Sequence, residues 1–527
     1  MTKIKNFPFL SFITKNTVIA VLGILAAIAI SIYYFPLKKL GYNNVPPSSD
    51  IFDERANVYA GISFLNTGVP TGWSILDSYR YLEERKNYPQ MSFNGISLLI
   101  DDTMAKPTNK SVFHYPITSV QTFDFEDYDK NTIQIVQPYI DHSPLGGIIY
   151  SLGHRESIQT VGDIVPSKYR LNAIYLSVIT GILLFLVSYL FYKNVLLSLF
   201  ILLIYSTVPT YIFSARYALL ENVLVPFLLL TLLFLRLSKL KFQRINSNLF
   251  LVLAGISTGL SILAKESGIS VMLMGFTLVY LYNNKQSVKL LPRKMLLYGL
   301  PTILVAASFY LYAFYLSPAL FKGVYLNQYG REFFGPMNFL QTLRQLSFNK
   351  FAIDGFWIYG FASLLLLWKY KDENTELFVG LGSTLFVYLI FGGINYPWYS
   401  IPFIPFLCIA SGVILWKTLV KPNAMLISLF FLIPFSSSMY WGYVVHREGV
   451  SIVSIYRLFL LIFSMFAILI SSYHLLPKKL AKYNNLINRI WIIFFLIIFY
   501  QILQWNTQSV EYMVFNWGQL PNLFSIN

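Results

Sequence analysis

Leu224-Val225-Pro226-Phe227-Leu228-Leu229-Leu230-Thr231-Leu232-Leu233-Phe234-Leu235 runs without a charge and without the alternation of a half-buried strand. Glu221 precedes it and Arg236 and Lys239 close it. The apolar stretch thus approaches the roughly 20 residues a helix needs to cross about 30 Å of hydrocarbon. Backbone surrounded by lipid must satisfy its own hydrogen bonds, which leaves helices or closed barrels. A barrel would read as short alternating segments, and this run does not alternate. Similar runs recur along the 527 residues, of which 56% are hydrophobic and 12% charged, with a mean hydropathy of +0.56. A soluble core needs no such excess, so the fold class is an all-α polytopic membrane protein.

Apolar run length places about 13 spans, near 17–35, 171–192, 195–214, 217–235, 249–264, 268–283, 295–316, 351–368, 375–394, 400–416, 424–445, 451–476 and 490–505. The first follows Lys3, Lys5 and Lys15 and continues through Ile32 to Phe35 past any small-residue cleavage site, which reads as a retained signal anchor. One alternate set of loops holds half of the 40 basic residues, among them Arg236, Lys239, Lys241, Arg244, Lys285, Lys289, Arg293 and Lys294. The positive-inside rule makes that set cytoplasmic, with the N-terminus inside and the C-terminus outside. The net charge of +16 is mostly this topology signal spread over short loops, so nucleic-acid binding is rejected. Cys408, the single cysteine, sits in an apolar span and allows neither a disulfide framework nor a thiolate metal site within one chain.

Two regions escape the membrane, and both fall outside: 36–170 and 317–350. Loops of such length are usually functional or disordered. The two outer loops divide the chain into a transmembrane module, 1–316, and a C-terminal membrane region, 317–527. Glu221, Lys265, Asp354 and Arg457 stand toward the outer ends of their spans, whereas a pump or transporter carries charge at mid-membrane. In the large loop, Ser49 or Asp50 caps a helix with Val58, Ile62 and Leu65 on one face and Gly68 at its end. Ser143 and Pro144 open a second, with Leu145, Ile148, Ile149 and Leu152 at spacings of three and four. Both read as interfacial helices. The acidic stretch Asp124 to Asp129 lacks the glycine and terminal glutamate of an EF-hand loop and reads as solvated. Tyr396-Pro397-Trp398-Tyr399 is discounted as a sugar platform, because aromatic residues crowd membrane interfaces.

A constellation of short elements resembles the GT-C membrane glycosyltransferases, in particular the protein O-mannosyltransferases and the lipid A aminoarabinose and galacturonic acid transferases. Asp53-Glu54, followed by Tyr59-Ala60 and Asn66-Thr67-Gly68, is similar to the acidic motif of that family's first outer loop. His142-Ser143-Pro144-Leu145 resembles its His-Pro-Pro-Leu motif with serine for the first proline, and Arg216 to Glu221 its Arg-x-x-x-x-Asp/Glu element. Gly255 to Lys265 looks like its Gly-x-x-x-Gly-Leu-x-x-Leu-x-Lys stretch, and Tyr399 to Pro405 like a late Tyr/Arg-x-x-Pro-x-x-Pro element. About 87 residues separate Asp53 from His142, more than the usual family spacing, so part of the loop near 70–140 is an insertion of unknown role.

The resemblance implies transfer of a sugar from a polyprenyl-phosphate donor to a lipid, glycan or protein acceptor, with inversion, on the outer face. Such transfer needs a carboxylate to take the acceptor's proton and cations to receive the leaving phosphate. The expected base is Asp53, with Glu54 second. Glu221 orients the acceptor or holds a divalent cation, no other cofactor being implied. His142, Arg216 and Lys265 are the candidates for the donor phosphate. Each has an ordinary alternative: Asp53 as a first-turn acid complementing the helix dipole, Lys265 as a snorkelling side chain and Arg216 as an interface anchor. A lipid-linked glycan polymerase or flippase and a non-catalytic membrane scaffold are the competing classes.

Overall fold

The computed structural model describes residues 15–47, 53–74, 112–116, 132–136, 138–153, 164–240, 246–284, 290–329, 355–391, 397–445, 452–472 and 484–519. The proposed caps Ser49 and Asp50, the acidic stretch 124–129, Asp354 and Tyr396 lie outside them. The first long helix is α1 (Lys15–Tyr33), and α2 (Phe35–Lys39) continues it. Next come α3 (Asp53–Thr67) and α4 (Leu145–Tyr150), then the core helices α5 (Pro166–Tyr192), α6 (Val195–Thr207), α7 (Pro209–Arg216), α8 (Leu220–Lys239) and α9 (Ser247–Ala264). They are followed by α10 (Ile269–Asn283), α11 (Leu290–Leu316), α12 (Pro318–Tyr329), α13 (Phe356–Leu367), α14 (Thr375–Phe391) and α15 (Ile404–Val420). A helix with a π turn, 424–445, leads to α16 (Ile452–Ser472) and α17 (Asn484–Asn516).

Among the described residues nine helices are long and apolar enough to cross a membrane, ten if α6 and α7 form one broken span. Helix occupies every one of the expected runs, but α10, α13 and α14 are shorter than that length. The break between α6 and α7 bends the chain by 65°. Its cause is Pro209: a residue before proline avoids the helical region, and Val208 is extended, with ψ at 123°.

The core is set by close helix approach. A Cβ on Gly255 would overlap the Tyr298 carbonyl, and one on Gly259 would strike the Val305 side chain, so the two glycines let α9 lie against the backbone of α11. Thr258 bridges the same crossing, its hydroxyl 3.0 Å from that of Tyr298 and 3.2 Å from that of Thr231 on α8. Interhelical hydrogen bonds in membranes are worth about 0.6 kcal/mol each, so these contacts add only modestly to the close packing at the glycines.

Outside the helical core, α3 ends as expected at Gly68, which has φ +74° and whose N–H returns to the Phe64 carbonyl at 2.8 Å. The helix is more deeply covered than a surface amphipath. Glu54, Ala56, Asn57, Val58, Ala60, Gly61 and Ile62 are all buried, partly because α3 crosses α4 where Gly61 meets Gly147. A Cβ on Gly147 would overlap the Asn57 carbonyl oxygen. Between these helices the inserted loop contributes a small antiparallel sheet in the order β1 (Gly72–Trp73), β3 (Thr132–Val136), β2 (Val112–Pro116), with Gly72 opposite Val136 and Phe113 opposite Ile135.

Candidate active site

At one end of the bundle, the start of α8, the end of α9 and the chain just before α4 meet. Glu221 is the second residue of α8 and only 2% exposed. Lys265 caps α9 in an extended conformation, its N–H bonded to the Ser261 carbonyl at 3.1 Å, and a single 3-10 turn, Glu266–Gly268, follows. Gly268 allows that tight turn, since a Cβ there would overlap the Ser261 carbonyl. His142 stands two residues ahead of Pro144, and the Ser143 hydroxyl accepts the Leu145 N–H at 3.3 Å. Tyr150, at the end of α4, donates its hydroxyl to the Leu219 carbonyl at 2.7 Å, which ties α4 to the start of α8.

The side chains form a chain of charge. Glu266 accepts from His142 Nδ1, with both carboxylate oxygens at 3.0 Å. His142 Nε2 lies 3.5 Å from Lys265 Nζ, and Lys265 Nζ lies 3.7 Å from Glu221 Oε1. The Tyr399 ring centroid is 5.8 Å from the same ammonium. Burial works against the charge on Lys265, but Glu221, Tyr399, Glu266 and Asp53 outweigh it and hold the ammonium above the ordinary lysine value. Burial also opposes ionisation of Glu266, yet the His142 and Lys265 contacts bring its carboxyl down to about 2. Asp53, first residue of α3, acts electrostatically on both Glu221 and Lys265. Asp53, His142, Glu221 and Lys265 are therefore brought together from four parts of the chain.

Two expected site residues go elsewhere. Glu54, second choice for the base, is fully buried and grips Arg170 from the first turn of α5: Arg170 Nε is 3.0 and 3.2 Å from its two oxygens, and Nη2 also contacts Oε2. Its Oε1 accepts the Ala218 N–H at 2.7 Å. One residue along a helix turns the side chain by about 100°, so Asp53 and Glu54 face different neighbours. Arg216, expected at the donor phosphate, is also fully buried. Its guanidinium binds the carbonyls of Leu37 (3.0 Å), Lys38 (3.1 Å) and Val45 (3.3 Å), and so closes the chain after α1 onto the broken span. Arg457 is exposed on α16.

Glu266 escaped the sequence reading although it directly follows Lys265, the last residue of a recognised stretch. Arg170 carried no signal, since an arginine in the first turn of a span reads as an ordinary interface residue. Tyr399, set aside as an interface aromatic, instead faces Lys265. Both site glutamates already have cationic or imidazole partners, and among the described residues no group of three or more His, Cys, Asp or Glu is placed to hold a metal ion.

Residues 144–321 match the family model described as dolichyl-phosphate-mannose-protein mannosyltransferase. No curated protein matches the chain. Among solved structures, ArnT from Cupriavidus metallidurans bound to undecaprenyl phosphate is similar at 13% identity and a TM-score of 0.53, covering 94% of this chain and 77% of that one. Its apo form gives 14% identity and a TM-score of 0.47 over 72% and 67% of the two chains. The S. cerevisiae protein O-mannosyltransferase Pmt1-Pmt2 complex bound to the sugar donor gives 18% and 0.28 over 34% and 27%. Residues 144–321 thus carry a pattern similar to the mannosyltransferase family, set in a chain that shares the fold of ArnT and whose long apolar helices make it a multi-pass membrane protein.

Proposed function

We propose that the chain is an inverting glycosyltransferase that moves a sugar from a polyprenyl-phosphate donor to a lipid, glycan or protein acceptor on the outer face of the membrane. The single observation that supports this most is the placement of Lys265, an ammonium 15% exposed and held between Glu221 and His142 within the field of Asp53. A cation next to a carboxylate at a bundle end is what the chemistry needs. The acceptor oxygen or nitrogen attacks the anomeric carbon, the bond from that carbon to the phosphate oxygen breaks, and the polyprenyl phosphate leaves with the electron pair. Asp53 takes the acceptor's proton. Lys265, held in place by His142 and Glu221, stabilises the negative charge on the departing phosphate. Glu221 balances Lys265 and orients the acceptor. The catalytic machinery belongs to residues 1–316, and the N-terminus is cytoplasmic with the C-terminus outside.

The test is Asp53→Asn, which keeps shape and capping ability while removing the proton acceptor. Transfer from polyprenyl-phosphate sugars in liposomes is expected to fall by about 100- to 10,000-fold, the usual worth of a general base. Donor binding should survive, because cations and apolar surface hold the phosphate and lipid. Near-normal turnover would remove Asp53 from the mechanism and return it to the role of a first-turn acid.

A further inference from the structure

Lys265 is a point charge on a flexible stem, so its usefulness toward a phosphate depends on what holds its ammonium in place. Two groups from different elements do so: Glu221 Oε1 from the start of α8, as an ion-pair partner 3.7 Å away, and His142 Nε2 from the chain ahead of α4, 3.5 Å away. An ammonium has donors only, and an imidazole nitrogen accepts only when it carries no proton. With the ring proton on Nδ1, the bare Nε2 can accept from Nζ. At Nδ1, both oxygens of Glu266 stand at 3.0 Å to receive that proton. Neither ring nitrogen has another hydrogen-bond partner among these contacts, so the Glu266 carboxylate selects the tautomer, and the tautomer decides whether His142 attracts or repels Lys265.

We propose that Glu266 is a positioning residue that acts through His142 on Lys265, holding the ammonium where the phosphate ester of the donor binds. The inference rests on the reading of this site as a polyprenyl-phosphate site. It also has a sign of its own. A carboxylate near an anion's site repels that anion, so on charge alone removing Glu266 should tighten phosphate binding. Positioning demands the opposite. Glutamine keeps a carbonyl oxygen able to accept the Nδ1 proton, whereas alanine leaves the ring free to turn its N–H toward Lys265.

The experiment uses the full chain in liposomes and measures binding of a polyprenyl phosphate to wild type, Glu266→Ala, Glu266→Gln, His142→Ala and the double variant His142→Ala/Glu266→Ala. Glu266→Ala should weaken binding about tenfold, the worth of one charge-assisted hydrogen bond, and Glu266→Gln should restore most of it. The double variant should bind no more weakly than His142→Ala alone, because both act on one path. Tighter or unchanged binding in Glu266→Ala, or additive losses in the double variant, would overturn the proposal. A second readout stands apart from donor binding: nitrogen NMR of the His142 ring, assigned by its loss in His142→Ala. Wild type and Glu266→Gln should show the Nδ1–H tautomer and Glu266→Ala should not. If wild type bound no polyprenyl phosphate, the functional reading would fail. The ring spectrum would still decide whether Glu266 sets His142, and an unchanged tautomer in Glu266→Ala would sink the idea.

Discussion

Arg170→Met removes a guanidinium that is completely enclosed. The native side chain gives Nε and Nη2 to Glu54 and Nη1 to the carbonyls of Tyr42, at 3.1 Å, and Pro46. Glu54 in turn holds the Ala218 N–H just ahead of α8. The pair therefore joins α5, α3, the chain after α2 and the start of α8, the four pieces that carry Asp53 and Glu221 to the site. Methionine fills much of the volume but leaves a fully buried carboxylate without its cation. Breaking a buried pair from one side costs about 3–5 kcal/mol, which is about 150- to 5,000-fold in the folded-to-unfolded ratio. Adding Glu54→Leu removes the stranded charge and should recover part of the loss. It cannot recover all, because the Ala218 N–H and the Pro46 carbonyl stay buried and unpaired, at about 1–3 kcal/mol each. The assay is the fraction of purified protein surviving graded heating in detergent, read by size-exclusion chromatography, beside turnover of the survivors. Full stability of Arg170→Met with lost turnover would refute the buttress argument and bring Glu54 back into the chemistry.

Lys265→Met should weaken polyprenyl-phosphate binding at least tenfold and also destabilise the protein, because it leaves Glu221 buried and unpaired; Lys265→Met/Glu221→Gln should regain stability but not binding, as thermal survival and donor titration would show. Gly147→Ala should push α3 away from α4, since the added methyl meets the Asn57 carbonyl, and so lower turnover and heat survival together, whereas alanine at Gly382, which meets nothing, should change neither. Glu266 has a folded pKa of about 2, below its unfolded value of about 4.5, so its contribution to stability is complete above pH 4.5 and is lost as pH falls toward 2. Heat survival of wild type should exceed that of Glu266→Gln by a constant margin above about pH 5 and lose that margin in acid.

The fold was readable because lipid as a solvent leaves few choices. A run such as Leu224 to Leu235 cannot be anything but helix in hydrocarbon. Glu221 and Lys265 stood out as polar residues at the ends of spans, whereas Asp53 and His142, in the outer loop, stood out only through the order they share with a known constellation. Their neighbours were another matter. Asp53 and Glu54 are adjacent acids, ranked first and second as the base, and Arg216 and Lys265 are both candidate cations for the phosphate. Only the packing of α3 on α4 at Gly61 and Gly147, and the 65° break before Pro209, decide which of each pair faces the site and which is sealed among carbonyls and an ion pair. Sequence by itself determined that the chain is a bundle of membrane helices, because burial of apolar length is a local property. Whether a charge has a partner is a relation between distant segments, 116 residues apart for Glu54 and Arg170 and 124 for His142 and Glu266, and only the tertiary structure decided that.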